Sequence, residues 1–340
     1  MSNSVEVSIS EVKDTLKQYF ATSNAHNHYI DWAVDLAIDH DLEGNTFSGI
    51  GAAEKYHKAL LSSVENESSV VFESPSLKHI KGNGVSSKIL TKDILDRVDA
   101  DIAENGMVSY GLFDCGYSGG FTTFVRALAA KDYVAIFSAA GGPQGVVPYG
   151  GRKDIFGTNP LAYAIPNQDD PIVFDAATAK IAYGTLREAK EKKEKLLDNT
   201  YVDIDGDITT DYDKGHAVLP FGGFKGYAIN MLLEVITTIM VGGNAGLLQN
   251  PDGSTSQKDL GAFIIVIDPA RMVDINEFKK QTSQLVADVE SSEPMQGFTE
   301  VRAPGTRASA HKKNDISRGK VSVGIDDWKH LQALAQASRK

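Results

Sequence analysis

The amino-terminal part of the chain repeats its apolar residues at the spacing of an α-helix. Ser8 and Glu11 stand three positions apart, as in a capping box, and the apolar positions that follow recur every three or four residues. This pattern predicts a first helix over 9–22, and the same period predicts helices over 29–39 and 52–64. We therefore expect the first sixty or so residues to be helical.

Short β-rich runs alternate with helical stretches through the rest of the chain. Each run is rich in β-branched and aromatic residues and is bounded by turn-forming residues. The predicted strands lie at 69–72, 107–113, 133–137, 161–165, 172–174, 262–267 and 320–323. Helical periodicity returns at 91–102 and 121–130. This alternation predicts a mixed α/β fold.

The most apolar long segment, 227–243, predicts a buried helix. Asn230 and Glu234 interrupt it, and it is shorter than the ~20 apolar residues that cross a bilayer, so no membrane partner is expected. The first residues of the chain are partly acidic and lack a basic region followed by an apolar stretch. No signal peptide is therefore expected.

Length, charge and cysteine content narrow the class of protein. The 340 residues exceed a typical core of roughly 100–200 residues and predict one large composite domain or two intertwined ones. The net charge of −11 repels the phosphates of nucleic acids. Cys115 is the single cysteine, which excludes an intrachain disulfide and a cysteine-based zinc cluster. We expect a cytoplasmic protein with no nucleic-acid partner and no metal.

The loop 219–226, with the sequence LPFGGFKG, is the strongest candidate phosphate-binding element. It leads directly into the apolar helix, its glycines admit a ligand close to the backbone, and Lys225 adds a mobile charge. This combination suits a pyrophosphate. The alternative is a glycine turn before a buried helix, with Lys225 extending into solvent. No Gly-x-Gly-x-x-Gly opens a helix after a first strand, so the usual dinucleotide fingerprint is missing.

Three further loops have the composition of ligand-binding segments. The following proline biases Asn159 toward an extended conformation, so 157–160 is either a plain turn or a polar ledge for a ligand. Asp175 and Thr178 follow a buried strand, where α/β proteins place ligands, although both could instead cap the next helix. The loop 302–307 carries two guanidinium groups on a kinked backbone, which suits an anion; the alternative is a solvated loop.

Five of these segments, taken in order, resemble the second type of malate/L-lactate dehydrogenase family. They are VVPYGG (146–151), GTNPLAYAIP (157–166), VFDAAT (173–178), LPFGGFKGYAINMLLEV (219–235) and APGTR (303–307). The family includes L-sulfolactate dehydrogenase, ureidoglycolate dehydrogenase, 2,3-diketo-L-gulonate reductase and the piperideine-2-carboxylate reductases. The resemblance implies a non-Rossmann, L-sulfolactate dehydrogenase-like α/β fold, with a mixed sheet and helical N- and C-terminal segments. It also implies an NAD(P)-dependent homodimer that acts on 2-oxo or 2-hydroxy acids or on cyclic imino acids.

The resemblance further implies a division of the chain and a set of cofactor-binding residues. Residues 1–70 with 308–340 are expected to form a helical substrate and dimer domain, and 71–307 an NAD(P)-binding α/β domain. The residues expected to hold NAD or NADP are Thr158, Asn159, Val173, Phe174, Asp175, Ala176, Ala177, Thr178, Ala179, Phe224, Lys225, Gly305, Thr306 and Arg307.

The catalytic positions depart from the family pattern. The family has a histidine followed four residues later by an arginine and four beyond that by a tyrosine, and here Ser48, Ala52 and Tyr56 occupy those positions. A second family histidine falls at Ser118, and Phe224 stands where the family often has another. The resemblance makes Tyr56, Ser48 and Ser118 the candidate catalytic positions, and helical geometry predicts that positions 48, 52 and 56 share one face.

Loss of the histidines leaves the source of the proton open. A ketone that becomes an alcohol needs a proton on oxygen, and histidine is the usual donor near neutral pH. One alternative is another donor, such as Tyr56, Tyr117 or His57. A second is an imine substrate that arrives protonated and needs only hydride. A third is a non-catalytic nucleotide-binding relative or partner subunit.

The position of the missing arginine bears on the substrate. An arginine there would hold a carboxylate in bidentate fashion, so Ala52 predicts a small carboxylate substrate other than malate or lactate, in a more apolar pocket. Arg126, Arg302 and Arg307 are the candidates for replacing it.

Overall fold

The computed structural model describes residues 4–116, 119–140, 145–243 and 260–337. The strands are β1 (Ser4–Ser8), β2 (Ser69–Ser74), β3 (Leu77–Lys81), β4 (Met107–Cys115), β5 (Val134–Ala139), β6 (Leu161–Ile165), β7 (Ile172–Ala176), β8 (Tyr201–Asp203), β9 (Ile208–Thr209), β10 (Gly215–Val218), β11 (Leu260–Ile267) and β12 (Lys320–Gly324). The helices are α1 (Ile9–Ala21), α2 (Asn27–Leu42), α3 (Ala53–Glu65), α4 (Ser87–Ile102), α5 (Thr122–Ala129), α6 (Tyr183–Lys192), α7 (Phe224–Glu234), α8 (Ile275–Glu290), α9 (Thr306–Arg318) and α10 (Ile325–Ala337).

A seven-stranded sheet lies at the centre of the fold. Its strand order is β2-β3-β4-β11-β5-β6-β7. Strands β3 and β4 pair in parallel, and every other neighbouring pair is antiparallel. This arrangement is the mixed sheet that the sequence predicts.

The inner strands of the sheet are buried against helices α4 and α5. Alternate residues of β4 and β11, such as Val108, Leu112 and Ile264, are fully buried, as the period of two along a strand requires. Helix α4 packs on β4 and β11, and α5 packs on β5, β6 and β7. Burial of each such aliphatic side chain stabilises the fold by roughly 1.5–3 kcal/mol.

The two ends of the chain pack together. Strand β1 pairs antiparallel with β12, and α1 packs on α10. Phe20 and Leu331 from these ends belong to the same buried apolar cluster as Phe137 of the central sheet. The cluster is therefore continuous across the predicted domain boundary, and the division into 1–70 with 308–340 and 71–307 stays a prediction.

A small sheet in the order β10-β8-β9 lies over a second apolar cluster. This cluster contains Val146, Phe156, Leu186 and Tyr201. Since β10 ends at Val218, the small sheet fixes the start of the loop 219–226.

The three amino-terminal helices are confirmed with shifts of a few residues, but the capping box at Ser8 is wrong. The Ser8 hydroxyl lies 2.7 Å from Ser10 Oγ and makes no bond to the helix N-terminus. Ser8 is the last residue of β1, and the first amide of α1, from Ile9, donates to the carbonyl of Gly319 at 3.1 Å. Strand pairing thus supplies an acceptor at the start of the helix.

The prediction of a buried helix over 227–243 is correct for one face only. Helix α7 continues into a π-helical turn at Val235–Ile239, and only one face of this combined segment is buried. Leu232, Ile239 and Met240 are each more than half exposed on the other face. The apolar residues of this segment therefore lie on two faces, one packed against the protein and one exposed. Among the described residues, no helix is both long and apolar enough to cross a membrane.

Candidate active site

Ser48 and Tyr56 come together, but they do not lie on one helix as predicted. Ser48 lies in a turn, Ile50–Ala52 forms a 3₁₀ helix, and α3 begins only at Ala53. Tyr56 is 1% exposed, and its phenol Oη donates to the main-chain carbonyl of Ser48 at 2.7 Å. The hydrogen bond from the Tyr56 phenol therefore stabilises the turn that contains Ser48.

Asp41 lies beneath this turn and determines its shape. The Asp41 Oδ2 accepts the amide of Ile50 at 2.7 Å. Gly49 packs so closely that a Cβ there would lie 2.2 Å from the carboxyl group. Burial raises the pKa of Asp41 to about 8, the nearby charge of Asp327 adds to the rise, and the bond from Ile50 opposes it.

Lys88 is a buried cation in contact with Tyr56. It is the second residue of α4, and its amide donates to the hydroxyl of the N-cap residue Ser86 at 3.3 Å. Its Nζ lies 4.5 Å from the centroid of the Tyr56 ring and donates to the carbonyl of Gly119. Burial lowers the pKa of Lys88 to about 7, the charge of Asp175 opposes this shift, and the charge of Lys55 adds to it.

His40 is buried on the other side of the same glycine segment. Gly120 has a φ of +58°, and a Cβ there would lie 2.1 Å from His40 Nε2. Neither ring nitrogen of His40 makes a hydrogen bond of good geometry within the described ranges, and the nearby Gly120 backbone opposes the fall in its pKa. Burial and the nearby charge of Lys88 lower its pKa to about 3, so the imidazole is neutral at physiological pH.

Asp175 connects this cluster to strand β7. Its Oδ2 accepts the amide of Phe121 at 2.7 Å, at the N-terminus of α5. The carboxylate therefore caps α5, which precedes it in the chain, and not the helix that follows it. Burial raises its pKa to about 6; Glu43 adds to the rise, whereas the Phe121 amide and Lys88 oppose it.

Sequence reasoning did not find Lys88 or His40, although each carries a signal. Lys88 lies on the buried stripe of α4 with Thr91 and Val98, and His40 lies among the buried residues at the C-terminal end of α2. A charged or titratable residue on an otherwise apolar stripe is the observable sign. A small cavity beside them is lined by Leu36, Ser87, Lys88, Thr91, Gly119, Gly120, Phe121, Phe124 and Phe137.

The other titratable candidates lie elsewhere. His57 Nε2 is 2.8 Å from the hydroxyl of Thr22, and its ring stacks on Tyr19. His216 pairs with Asp154. Ser118 and Tyr117 lie outside the described residues, so their predicted roles are untested.

Strand β7 forms the first part of the predicted cofactor segment 173–179 and runs beside the loop that contains Pro304 and Gly305. The Val173 amide donates to the carbonyl of Pro304 at 3.4 Å, and Gly305 packs with its Cβ position 2.8 Å from the Val173 carbonyl oxygen. Thr306 begins α9, and its hydroxyl donates to Glu290 at 2.7 Å. Arg307 is exposed at the same helix N-terminus. The segments 173–179 and 305–307 therefore come together.

The remaining positions of 173–179 belong to the packed frame of this region. Phe174 stacks on Tyr163 of β6 with ring centroids 5.3 Å apart. Ala176 ends β7, and Ala177 and Ala179 pack in the second apolar cluster.

The chain beyond β7 meets the predicted phosphate loop. Ala179 forms an isolated bridge with Pro220, and the Phe221 amide donates to the Thr178 carbonyl at 3.1 Å. Gly222 and Gly223 then adopt positive φ angles of 59° and 64°. A Cβ at either glycine would contact nothing closer than 3.7 Å, so space is open above this turn.

The open turn fits a phosphate group. It leads into the 11-residue helix α7, whose first amide groups lack intrahelical partners and carry the positive end of the helix dipole. Lys225 is exposed at the start of α7, and the Phe224 ring, 60% exposed, packs edge-on against Tyr149. Amide donors, a mobile cation and open space above a glycine turn match the chemistry of a pyrophosphate.

Asn159 braces this region from below and is not extended as predicted. Its φ is +34°, a left-handed conformation that asparagine tolerates better than most residues. Its Nδ2 donates to Asn230 Oδ1 at 2.9 Å and to Glu234 Oε2 at 2.7 Å, both on α7. The Thr178 hydroxyl donates to the carbonyls of Thr158 and Asn159. The side-chain amide of Asn159 therefore connects the segment 157–160 to α7.

Two of the three candidate replacement arginines are paired. Arg126 Nη2 lies 3.0 Å from the buried carboxylate of Glu43, and Arg302 pairs with Glu300. The cations near Tyr56 are instead Lys88 and Lys55.

The sequence profile described as malate/L-lactate dehydrogenase matches residues 7–332, so the chain is an oxidoreductase of the dehydrogenase class. The chain belongs to the malate/L-lactate dehydrogenase family. The resemblance and the fold class inferred from the sequence are both confirmed.

Individual relatives agree with this assignment. The chain is 30% identical over 298 residues to L-sulfolactate dehydrogenase of Methanothermobacter thermautotrophicus, covering 85% of this chain and 86% of that protein. It is 30% identical over 251 residues to ureidoglycolate dehydrogenase (NAD(+)) of Escherichia coli, and the match covers 73% of this chain and 70% of that protein. The solved structure of delta1-piperideine-2-carboxylate reductase from Pseudomonas syringae superposes with a TM-score of 0.83 and 25% identity, covering 97% of this chain and 99% of that one.

Proposed function

We propose that the chain reduces a small 2-oxo acid or a cyclic or N-substituted imino acid with NADH or NADPH, or oxidises the corresponding 2-hydroxy acid. One observation carries this proposal. Asp175, in the cluster with Lys88, stands three residues before Thr178, which contacts the glycine turn. Three residues of extended chain span about 10 Å. A dinucleotide whose phosphates lie on that turn can therefore reach the cluster around Tyr56.

The names of the relatives support this class of substrate. Sulfolactate and ureidoglycolate are 2-hydroxy acids, and piperideine-2-carboxylate is a cyclic imino acid. One relative is named for NAD(+). The cofactor of this chain is NAD or NADP.

The roles of the chain's own residues follow from the site. The bound cofactor supplies or accepts a hydride. The glycine turn, the α7 N-terminus and Lys225 hold its phosphates, and the α9 N-terminus with Arg307 offers a second group of donors. Lys88 and Lys55 provide the positive charge beside Tyr56 that attracts a carboxylate-bearing substrate.

We further propose that the chain is a cytoplasmic homodimer. The exposed apolar face of α7 and its π-helical turn is continuous with the exposed Phe221 and Phe224 of the phosphate loop. An exposed apolar surface of this kind is typical of a protein interface.

Nucleotide titration followed by a substrate panel tests the function. NADH and NADPH fluorescence should change on addition of protein at micromolar concentrations. A panel of 2-oxo acids and cyclic imines with each cofactor should then reveal turnover. Binding without turnover on any member would replace the proposal with a non-catalytic nucleotide-binding role, and absence of binding would reject both.

Lys225→Ala separately tests whether the loop 219–226 binds the phosphates of the nucleotide. Loss of a charge-assisted hydrogen bond of about 1.5–3 kcal/mol should raise the nucleotide Kd by about 10- to 100-fold and leave the fold intact. Lys329→Ala on α10 removes the same charge from an exposed site and serves as the control. Equal Kd values for the two variants would show that Lys225 extends into solvent and does not touch the ligand.

A further inference from the structure

We propose that Lys88 is the proton donor that replaces the missing histidines in the reduction of a 2-oxo acid. The proposal rests on the proposed function and assigns one step of it to a residue that no motif identifies.

The position of Lys88 is the first argument. Its ammonium lies over the ring of Tyr56 and donates to Gly119, which adjoins the position of the second family histidine. It also interacts electrostatically with Asp175 of the segment 173–179. Three predicted site segments that are distant in sequence therefore meet at Lys88. They contain Tyr56, Gly119 and Asp175.

The described alternatives to Lys88 are committed elsewhere. The Tyr56 phenol has a single proton, which it donates to the Ser48 carbonyl, whereas the Lys88 ammonium carries three protons. His40 is neutral at working pH, and a neutral imidazole is a weak acid. His57 and His216 bond to Thr22 and Asp154, away from Tyr56.

The chemistry of Lys88 suits an acid that works near pH 7. Burial holds its pKa at about 7, where a general acid is most effective because it is partly protonated and releases its proton readily. An exposed lysine, with a pKa above 10, would keep its proton. The titratable and charged groups facing it are Lys55 and Tyr56 of α3, His40 of α2 and Asp175 of β7. The pKa of Asp175, about 6, places its own titration lower.

The step balances as follows. The carbonyl carbon of the substrate accepts a hydride from the reduced nicotinamide, which is oxidised. The π electrons of the carbonyl group move onto its oxygen, and that oxygen takes a proton from Lys88 Nζ. The products are a 2-hydroxy acid and a neutral lysine amine, which regains a proton from solvent.

Three variants of one helix test this assignment. Lys88→Met retains the length of the side chain and removes the proton, so kcat for a 2-oxo acid should fall by about 10²-fold or more, while the nucleotide Kd stays unchanged. Lys88→Arg retains the charge but cannot release a proton near pH 7, so kcat should stay low while KM recovers. Lys92→Met removes a lysine one turn away that pairs with Asp96 and should behave as wild type.

The pH profile and a measurement on the resting protein complete the test. Wild-type kcat for reduction should fall as the pH rises past about 7, and Lys88→Met should lose that limb. Side-chain NMR of protein carrying isotopically labelled lysine gives a test that needs no substrate. One lysine resonance should titrate near pH 7, and the same resonance should be missing from Lys88→Met. If no lysine side-chain resonance of the wild-type protein titrates below pH 9, the proposal is overturned, even if the variants fail to fold.

The outcomes separate this proposal from the proposed function. Wild-type activity with unchanged kcat in Lys88→Met rejects the proton donor alone. A rise in KM with unchanged kcat would make Lys88 a carboxylate anchor and also rejects it. Turnover restricted to imines, which need no proton, rejects it as well and leaves the oxidoreductase function in place. Absence of any turnover rejects both.

Discussion

Individual buried side chains of this protein carry acid–base properties that their residue types alone do not indicate. Lys88 has a pKa lowered to about 7, and Asp41 has one raised to about 8. Both shifts arise first from burial, which disfavours the charged form. The two residues differ in position, because Lys88 lies against Tyr56 whereas Asp41 supports the turn that precedes α3.

Asp41→Asn should change the pH dependence of stability. A carboxyl whose pKa is higher in the folded protein than in the unfolded chain contributes stability below the unfolded pKa and loses it as the pH rises through the folded value. For Asp41 we expect this window, in which stability is lost as the pH rises, to run from about pH 4 to about pH 8. The asparagine retains an acceptor for the Ile50 amide and cannot ionise. The excess of the variant's unfolding free energy over that of wild type should therefore grow by about 4 kcal/mol between pH 5 and pH 9, because three pH units of this window lie above pH 5.

Urea unfolding at pH 5 and at pH 9 measures the effect. Asp14→Asn, at an exposed carboxylate of α1, controls for the loss of one negative charge. Parallel pH profiles for wild type and Asp41→Asn would show that Asp41 is already ionised in the folded protein at pH 5.

At the scale of elements, α7 is held to the cofactor-binding region by buried polar contacts. Asn159 reaches Asn230 and Glu234 on α7, and Thr178 reaches the Asn159 carbonyl. Removing one member of a buried network leaves the others without a partner, which is more costly than the loss of one hydrogen bond.

Asn159→Ala should therefore lower the unfolding free energy by about 2–4 kcal/mol and weaken amide-exchange protection along α7. The matched control is Asn24→Ala, because Asn24 also has a positive φ, of 57°, but is exposed. Denaturant unfolding of the two variants separates the backbone cost, which they share, from the cost of the broken network. Equal losses would show that the network adds nothing to stability.

The elements predicted from the sequence were those with a strong local pattern. Strand β6 occupies the predicted 161–165, because Pro160 and Pro166 bound a short apolar run there. The glycine turn was recognisable because its positive φ angles need glycine. Lys88 and His40 were not recognised, because their local sign is only a titratable residue on a buried helix stripe. Their contacts with Gly119 and Gly120 leave no mark in the local sequence pattern.

At the scale of the whole molecule, the exposed apolar surfaces suggest where a second copy binds. Two helices expose several large apolar side chains, and these are α7 with its π-helical turn and α8. The first adjoins the predicted phosphate loop, whereas α8 has no buried residue at all. In a two-fold dimer the same patch serves both subunits, so one substitution on that patch changes the interface twice.

Leu232→Glu should therefore convert the proposed homodimer into monomers. Leu232 is 59% exposed in the isolated chain, and a glutamate there would bring two desolvated negative charges into a self-complementary apolar contact. Leu285→Glu on α8 is the matched control, because Leu285 is also 59% exposed and the change is identical. Sedimentation or light scattering at several protein concentrations should show a dimer for wild type and Leu285→Glu, with a Kd at least 10²-fold weaker for Leu232→Glu. A monomeric wild type would reject the dimer, and dissociation by Leu285→Glu alone would place the interface on α8.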